Sequence, residues 1–256
     1  MHDLPLEDEF RAFAAAPADA ITGGLLVARV LDPGCAVAWV LGELDRLAAA
    51  APAKRDTHAV LATLDAAGFR GAEDYYATVN SSLEHVLRTR QGIPISLALV
   101  VIGVAQRRGL SAIGINFPRH FLVRVDDVLI DPFELRPVDP EWLEATLAEQ
   151  QLEADRALTP AGPRDIVLRM LNNLRLIAVQ RGEHAQALDL TGYQLVLGAD
   201  ALPLHVERAE LWLAVGVPDM ARHELERAIA LAPTAALRAR LEDYHRIIVA
   251  TPSRVH

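Results

Sequence analysis

The segment IPISLALVVIGVAQRRG, residues 93–109, determines the predicted fold of the first part of this chain. Its uncharged apolar stretch is shorter than the roughly 20 residues that a membrane-spanning helix needs, so it predicts a buried core helix. Pro94 suits the first turn of that helix, where its missing N–H is not needed. Arg107 and Arg108 suit the last turn, because cations stabilise the negative end of the helix dipole, and Gly109 ends it. Since the helix is apolar on every face, other parts of the protein must surround it.

Beyond this helix the hydrophobic period changes from that of a helix to that of strands. The dipeptide Asp126-Asp127 predicts a two-residue turn that pairs Val125 with Val128 in an antiparallel hairpin. The three predicted strands are SAIGINF (residues 111–117), HFLVRV (120–125) and VLID (128–131).

His120 and Asp131 lie at the two ends of this predicted hairpin. In this register they are diagonal neighbours on one face, about 7–8 Å apart at Cα, which an imidazole and a carboxylate can bridge. An odd-numbered loop would turn one strand over and separate them. A histidine base and an acid that orients it are two members of a nucleophilic triad. The spacing allows such a pair without requiring it.

The segment upstream of the core helix, residues 1–90, is predicted to be helical and holds three further candidates. Cys35, the only cysteine, begins a predicted helix. It is either a thiol of lowered pKa at a helix N-terminus or a small packing residue. Asn80 and Glu84 are one helical turn apart. They either line the mouth of a pocket or cap and solvate a helix.

The composition is that of a globular protein with a substantial core. Of the 256 residues, 52% are hydrophobic and 23% are charged, and the net charge of -9 argues against general nucleic-acid binding. One cysteine cannot form an internal disulfide, so a reducing, cytoplasmic location is expected. The acidic start MHDLPLEDEF predicts no signal peptide. No zinc spacing or phosphate-binding glycine loop is present, so no metal or cofactor is expected.

The segment between His85 and Val125 contains arginines but no acidic residue. One interpretation is a site for a small anionic ligand, held by Arg88, Arg119 and Arg124. The other is that these arginines pair with acids elsewhere in the domain. The arginines of the segment are Arg88, Arg90, Arg107, Arg108, Arg119 and Arg124.

The last third of the chain is helical and repetitive. The segments RGEHAQALDLTGYQLVLGAD and VGVPDMARHELERAIALAPT place glycine, alanine and leucine residues 34 positions apart, including Gly182 and Gly216. A 34-residue period of helix pairs is typical of tetratricopeptide repeats. Asn172 and Asn173 then lie on the inner helix of the first repeat, where they either bind a peptide in the groove or face solvent. The histidines predicted at surface or groove positions are His184, His205, His223 and His245.

Taken together, these segments resemble the SirB family, bacterial cytoplasmic proteins with a transglutaminase-like domain and C-terminal tetratricopeptide repeats. The resemblance implies an α+β, papain-like core of buried helix and antiparallel sheet in residues 1–155, followed by repeat helices and a capping helix in residues 156–256. The segments that carry it are NSSLEHVLRTRQGIPISLALVVIGVAQRRGL (80–110), FPRHFLVRV (117–125) and LIDPF (129–133).

The resemblance also implies where a catalytic triad would lie. His120 and Asp131 match the family's histidine and aspartate. The family's cysteine opens the buried helix, and counting back from Ala98 and Gly109 places that position at Pro94. A proline carries no nucleophile, so the chemistry expected of the family, acyl transfer through a thioester, lacks its thiol.

The departure at Pro94 leaves several functions open. The first is a non-catalytic scaffold with a regulatory or accessory role that binds a protein or peptide through the repeat groove. The second is a hydrolase or acyltransferase in which Ser96, water or a displaced Cys35 serves as nucleophile with His120 and Asp131. The third is a sensor of a small anionic ligand. Neither nucleic acid nor membrane is expected as a partner.

Overall fold

A computed structural model of the chain describes residues 4–250, with helices and strands numbered here in chain order. The fold divides into two compact units, of which the first is Ala16–Met170. The second combines the N-terminal segment up to Ala15 with the segment from Leu171 onwards. The boundary predicted between residues 155 and 156 lies inside the first unit. The N-terminal helix, assigned from the sequence to the first domain, belongs to the second unit because Phe10 stacks on Tyr193 at 4.5 Å.

The first unit is α+β. Its helices are α2 (Ala20–Leu31), α3 (Val37–Ala50), α4 (Thr57–Ala66), a 3-10 helix (Thr78–Ser81), α5 (Leu83–Thr89), α6 (Pro94–Arg107), α7 (Pro140–Glu149) and α8 (Ala154–Ala157). Its strands are β1 (Arg70–Gly71), β2 (Gln91–Gly92), β3 (Ala112–Ile115), β4 (Leu122–Val125), β5 (Val128–Asp131), β6 (Arg136–Pro137) and β7 (Pro160–Ala161).

Helix α6 is the centre of this unit, and the predicted core helix is confirmed. Every side chain from Ile95 to Ala105 is buried. Helices α2, α3, α4 and α5 and strands β3 and β4 pack against it. Gly109 ends the turn after it with a φ of 78°, a conformation that favours glycine. Within residues 4–250, no helix combines the length and apolar character needed to cross a bilayer.

The sheet beside α6 has five strands in the order β6-β5-β4-β3-β7, and every neighbouring pair is antiparallel. Val125 lies opposite Val128, so the predicted hairpin register and two-residue turn are confirmed. Asp126 adopts a φ of 49° in that turn. An aspartate tolerates this left-handed conformation better than most residues. Its carboxylate also accepts a hydrogen bond of 3.0 Å from the backbone N–H of Ser111, which holds the turn.

The second unit is helical. Helix α9 (Pro163–Gln180) contains the division between the units. Gly182 and Gly216, which are 34 residues apart, both have positive φ in turns that follow helices. The tetratricopeptide assignment itself stays a prediction. The other helices of this unit are α1 (Leu4–Ala15), α10 (His184–Val196), α11 (Ala201–Ala214), α12 (Pro218–Leu231) and α13 (Ala235–Ala250). From α10 onwards, helices that follow one another in sequence pack together.

A buried polar network joins three helices of the second unit. His205, predicted at a surface or groove position, is only 8% exposed, and its Nδ1 lies 2.6 Å from a carboxylate oxygen of Glu224. Arg208 donates to the other oxygen of Glu224 at 2.9 Å and to Thr191 at 2.9 Å. Burial of Glu224 opposes its ionisation, but His205 and Arg208 outweigh this and lower the pKa of the carboxyl. The surface prediction for His205 is therefore wrong, because its buried partner lies on another helix.

Close packing on α6 predicts opposite effects for two glycine-to-alanine substitutions in helices. A Cβ at Gly24 would lie 2.6 Å from Cδ1 of the fully buried Leu99, whereas a Cβ at Gly42 meets nothing within 4 Å. We expect Gly24→Ala to destabilise the protein by about 1–3 kcal/mol through overpacking. We expect Gly42→Ala to stabilise it by up to about 1 kcal/mol through helix propensity. Urea unfolding followed by circular dichroism measures both, and equal stabilisation by the two would contradict the packing of α2 on α6.

Candidate functional site

His120 and Asp131 lie on the wall of one open cavity of about 400 Å³. His120 precedes β4, and Asp131 ends β5, so the confirmed hairpin brings the two to the same region. The cavity carries more carboxylates than cations. Its other lining residues are Glu134, Arg136, Pro137, Val138, Asp139 and Trp142.

The imidazole of His120 is positioned by aromatic rings. Its ring meets Trp142 edge-on, with centroids 5.2 Å apart, and lies tilted at 6.2 Å from Phe117. Among residues 4–250, none hydrogen-bonds the imidazole nitrogens. Arg119, directly before it, holds a φ of 64°, a conformation that is uncommon for a residue with a side chain and is found at functional sites. The imidazole is therefore exposed and open to a ligand in the cavity.

The carboxylate of Asp131 is held by the chain that follows it. One oxygen accepts hydrogen bonds from the backbone N–H groups of Phe133, at 2.8 Å, and Glu134, at 3.3 Å. The other oxygen has no hydrogen-bond partner among the described residues. His120 and Asp131 therefore share the cavity without the direct hydrogen bond that the spacing allowed. A small ligand or water between them could bridge the two groups.

The strand end at Asp131 is fixed against the beginning of α6. Two residues further on, the ring of Phe133 lies so close to Gly71 that a Cβ at Gly71 would overlap it. Gly71 pairs with Gly92 in the parallel β1–β2 ladder, immediately before α6. A Cβ at Gly92 would lie 2.8 Å from Oγ of Ser96. The hairpin thus approaches the helix start, as the resemblance implied.

Ser96 closes the first turn of α6 and faces the interior. It is 0% exposed, and its hydroxyl accepts from the N–H of Ile93 and donates to the carbonyl of Ile93, both at 3.1 Å. These bonds engage the hydroxyl proton and satisfy a free N–H at the helix start. The predicted role of Ser96 as a nucleophile would require these bonds to break and the side chain to reach solvent. Pro94, the first residue of α6, is half-buried and carries no reactive group.

The thiol of Cys35 is hydrogen-bonded to a carboxylate, that of Glu84. Burial and a hydrogen bond with Glu84 raise the pKa of Cys35 to about 12. Glu84 also accepts from the backbone N–H of Ala36 at 2.9 Å and from Arg88 at 2.7 Å. Of the two interpretations of Cys35, the low-pKa thiol is therefore wrong. Glu84 caps this helix start instead of lining the mouth of the candidate cavity.

Several predicted ligand-binding residues have partners within the protein. Asn80 is buried, and its amide donates to the carbonyl of Asp74 at 2.6 Å, so it supports a loop. In the second unit, Asn172 accepts from Arg175 at 2.7 Å. Asn173 is half-buried. A groove role for the two asparagines stays a prediction.

One of the three arginines proposed as an anion site already has a counter-charge. Arg88 pairs with Glu84 and lies over the ring of Trp39 at 4.0 Å. Arg119 is exposed and Arg124 is half-buried, and neither has a side-chain hydrogen bond or ion pair within the described residues. The cation that lines the His120 cavity is Arg136, not one of these three.

Two residues of the site were not found from the sequence. Arg169 donates to the carbonyl of His120 at 2.8 Å and to the side chain of Asn116, and it lies over the ring of Phe121 at 5.4 Å. It therefore holds the loop that carries His120. Trp142, whose ring meets the imidazole edge-on, lies on α7. Across the described residues, no group of three or more histidine, cysteine or acidic side chains is arranged to bind a metal.

The raised pKa of Cys35 predicts slow alkylation. At about pH 9 a thiol of pKa about 12 is roughly one thousandth ionised, whereas one of ordinary pKa 9.0 is half ionised. Iodoacetamide should therefore alkylate native Cys35 at least about tenfold more slowly than the unfolded chain. Glu84→Gln should accelerate the native reaction, because Glu84 raises the pKa, whereas the exposed control Asp65→Asn should not. Equal native and unfolded rates would contradict this account.

Several known proteins are similar in sequence to this chain. A UPF0162 protein of Pseudomonas aeruginosa is 34% identical over 223 residues, which cover 80% of this chain and 83% of that protein. A UPF0162 protein of Xylella fastidiosa is 36% identical over 180 residues, covering 65% of this chain and 64% of that protein. F-box only protein 21 of Mus musculus is 28% identical over 158 residues, covering 56% of this chain and 25% of that protein.

No solved structure matches the chain at a significant level. The sequence profile of the transglutaminase-like superfamily matches residues 38–172, which include the start of α6, His120 and Asp131. This match covers more than half of the chain. The chain therefore belongs to the transglutaminase-like superfamily.

Proposed function

We propose that this protein is a cytoplasmic, SirB-like scaffold that has lost thiol chemistry and binds a protein or peptide partner in a regulatory or accessory role. The observation that carries the proposal is the start of α6, where Pro94 occupies the position at which the resemblance places the nucleophile. The one cysteine of the chain does not replace it, because its thiol is bound to Glu84 with a pKa of about 12.

Acyl transfer through a thioester requires a thiolate within reach of a histidine. At pH 7 a thiol of pKa about 12 is ionised in only about one molecule in 10⁵. The alternative nucleophile, Ser96, is buried and hydrogen-bonded to Ile93. What remains around His120 and Asp131 is an open cavity with exposed polar groups, which suits recognition better than covalent chemistry.

The second unit supplies the surface for the partner. A cavity of about 560 Å³ is lined by apolar side chains, among them Leu202, Val206 and Leu211. Two acids also line it: Glu207 pairs with Arg175, while Glu210 is exposed and has no ion-pair partner within the described residues. Apolar anchors are used in peptide recognition, and opposite charge fixes their orientation. The partner that this surface fits is a peptide with an apolar side chain next to lysine or arginine.

Selection of random peptides on the immobilised full-length protein tests this proposal. We expect enriched sequences to carry an apolar residue flanked by lysine or arginine. Their affinity, measured by fluorescence anisotropy, should fall at least about tenfold in Ala214→Arg. The new side chain would occupy part of the cavity, and its positive charge would repel the lysine or arginine of the peptide. Ala230→Arg, at an exposed position of α12 outside the cavity, is the matched control. No enrichment, or equal weakening by the two variants, would refute this binding surface.

A second function, ester or amide hydrolysis with water as the nucleophile, is favoured by one observation. The exposed imidazole of His120 and the unpartnered oxygen of Asp131 open into the same cavity. A histidine base oriented by an acid can activate water if a bound substrate brings the imidazole and the carboxylate into line. The absence of a direct hydrogen bond between them leaves this function second to the scaffold.

Hydrolysis of p-nitrophenyl acetate distinguishes the two functions. Surface imidazoles give a background rate, so the scaffold predicts that His120→Ala changes the rate no more than His58→Ala, a control at an exposed histidine of α4. A loss of about tenfold or more in His120→Ala alone would establish catalysis and overturn the non-catalytic proposal.

A further inference from the structure

A second cavity lies at the opposite end of α6 from the candidate site. It has a volume of about 480 Å³ and is bounded by α3, by the loop between α3 and α4, and by the last turn of α6. Three arginines line it, Arg55, Arg107 and Arg108, with Asp45 as its one acid. The cavity therefore has a formal excess of two positive charges, within a chain whose net charge is -9.

The three guanidinium groups differ in how their charge is compensated. Arg107 pairs with Asp45 and donates to the carbonyl of Gly103 at 3.1 Å. Arg108 donates only to backbone carbonyls, those of Pro52 and Lys54, and its Nε is buried without a hydrogen-bond partner in the part of the chain that the structure describes.

Arg55 is exposed on the same cavity and has neither a hydrogen bond nor an ion pair within residues 4–250. Two of the three positive charges therefore lack a carboxylate. A guanidinium that is partly buried against neutral carbonyls is stabilised when an anion joins it, because desolvated charge without a counter-charge is unfavourable. The carbonyl bonds of Arg108 also hold its side chain in place before any ligand binds.

From this arrangement we propose a binding site for a dianionic phosphate group, formed by Arg55, Arg107 and Arg108. Guanidinium groups donate paired N–H bonds that match phosphate oxygens, and two uncompensated charges match a dianion. The negative end of the α6 dipole opposes an anion, but only as a fractional charge, so the excess of two positive charges outweighs it. This site is independent of the proposed partner surface in the second unit.

The size of the cavity bears on the source of the phosphate. The cavity of about 480 Å³ is open to solvent and is larger than a phosphate group needs. A phosphomonoester of a small metabolite would fill it better than inorganic phosphate. The shared chemistry is the phosphate dianion, and the two sources are separated by measurement.

Isothermal titration calorimetry of the full-length protein with inorganic phosphate and with glycerol 3-phosphate tests the proposal. At about pH 7.5, above the second phosphate pKa of about 6, both are mainly dianions. We expect saturable one-to-one binding. Tighter binding of glycerol 3-phosphate would identify a phosphomonoester as the ligand, whereas equal affinities would identify the phosphate group alone.

Two variants and one control locate the site. Arg55→Gln and Arg108→Gln should each weaken binding at least about tenfold, because each removes a charge that lacks a carboxylate partner. Arg108 holds the loop between α3 and α4, so its variant could alter that loop, but Arg55 makes no such bond and its variant keeps the test valid. Arg70→Gln, at an exposed arginine outside the cavity, should leave affinity unchanged.

Two results would overturn the site. One is the absence of saturable heat with both ligands up to about 10 mM, a concentration at which even a weak specific site is occupied. The other is equal weakening by Arg70→Gln and Arg55→Gln, which would show that binding follows net charge alone.

Discussion

The burial of α6 is the constraint on which the first unit depends. A helix that is apolar on every face must be covered on every face, and here helices α2, α3, α4 and α5, the 3-10 helix and strands β1, β2, β3 and β4 contact it. Its start is equally constrained, because Ser96 closes the first turn on Ile93 and Gly92 admits no side chain beside that hydroxyl. Gly92 pairs with Gly71, and the ring of Phe133 packs directly against Gly71. These contacts fix the end of the β4–β5 hairpin relative to the start of α6.

The start of α6 is stabilised by residues other than cysteine. A helix N-terminus favours a thiolate through its dipole and free N–H groups, which is why a superfamily of acyl-transfer enzymes would place a cysteine there. In this chain Pro94 offers no N–H, and Ser96 satisfies the one from Ile93. Pro94 and Ser96 therefore meet the hydrogen-bonding needs of the helix start. His120 is positioned by residues outside the helix start: Trp142 contacts its imidazole, and Arg169 donates to its carbonyl.

The features that were predicted correctly from the sequence are those set by residues close together along the chain. The core helix follows from composition, and the hairpin register follows from a two-residue turn. His120 and Asp131 share a cavity but no hydrogen bond: one oxygen of Asp131 accepts from the backbone just after it, and the other has no partner among the described residues. The burial of His205 depends on Glu224, 19 residues away on another helix, which no periodicity reveals. The same holds for Arg169, which reaches the carbonyl of His120 across 49 residues.

The charge pattern shows why local composition alone does not identify a binding site. Helix α3 supplies counter-charges to the acid-free segment: Glu43 binds Arg90, and Asp45 binds Arg107. Hydrogen bonding from Arg46, with a further contribution from Arg90, outweighs burial and lowers the pKa of Glu43 to about 2, so this carboxylate stays charged at any ordinary pH. An arginine that is neutralised in this way adds no net charge to a binding site. The binding potential lies instead where cations converge on a cavity without enough carboxylates, a condition that depends on tertiary structure and that the end of α6 meets.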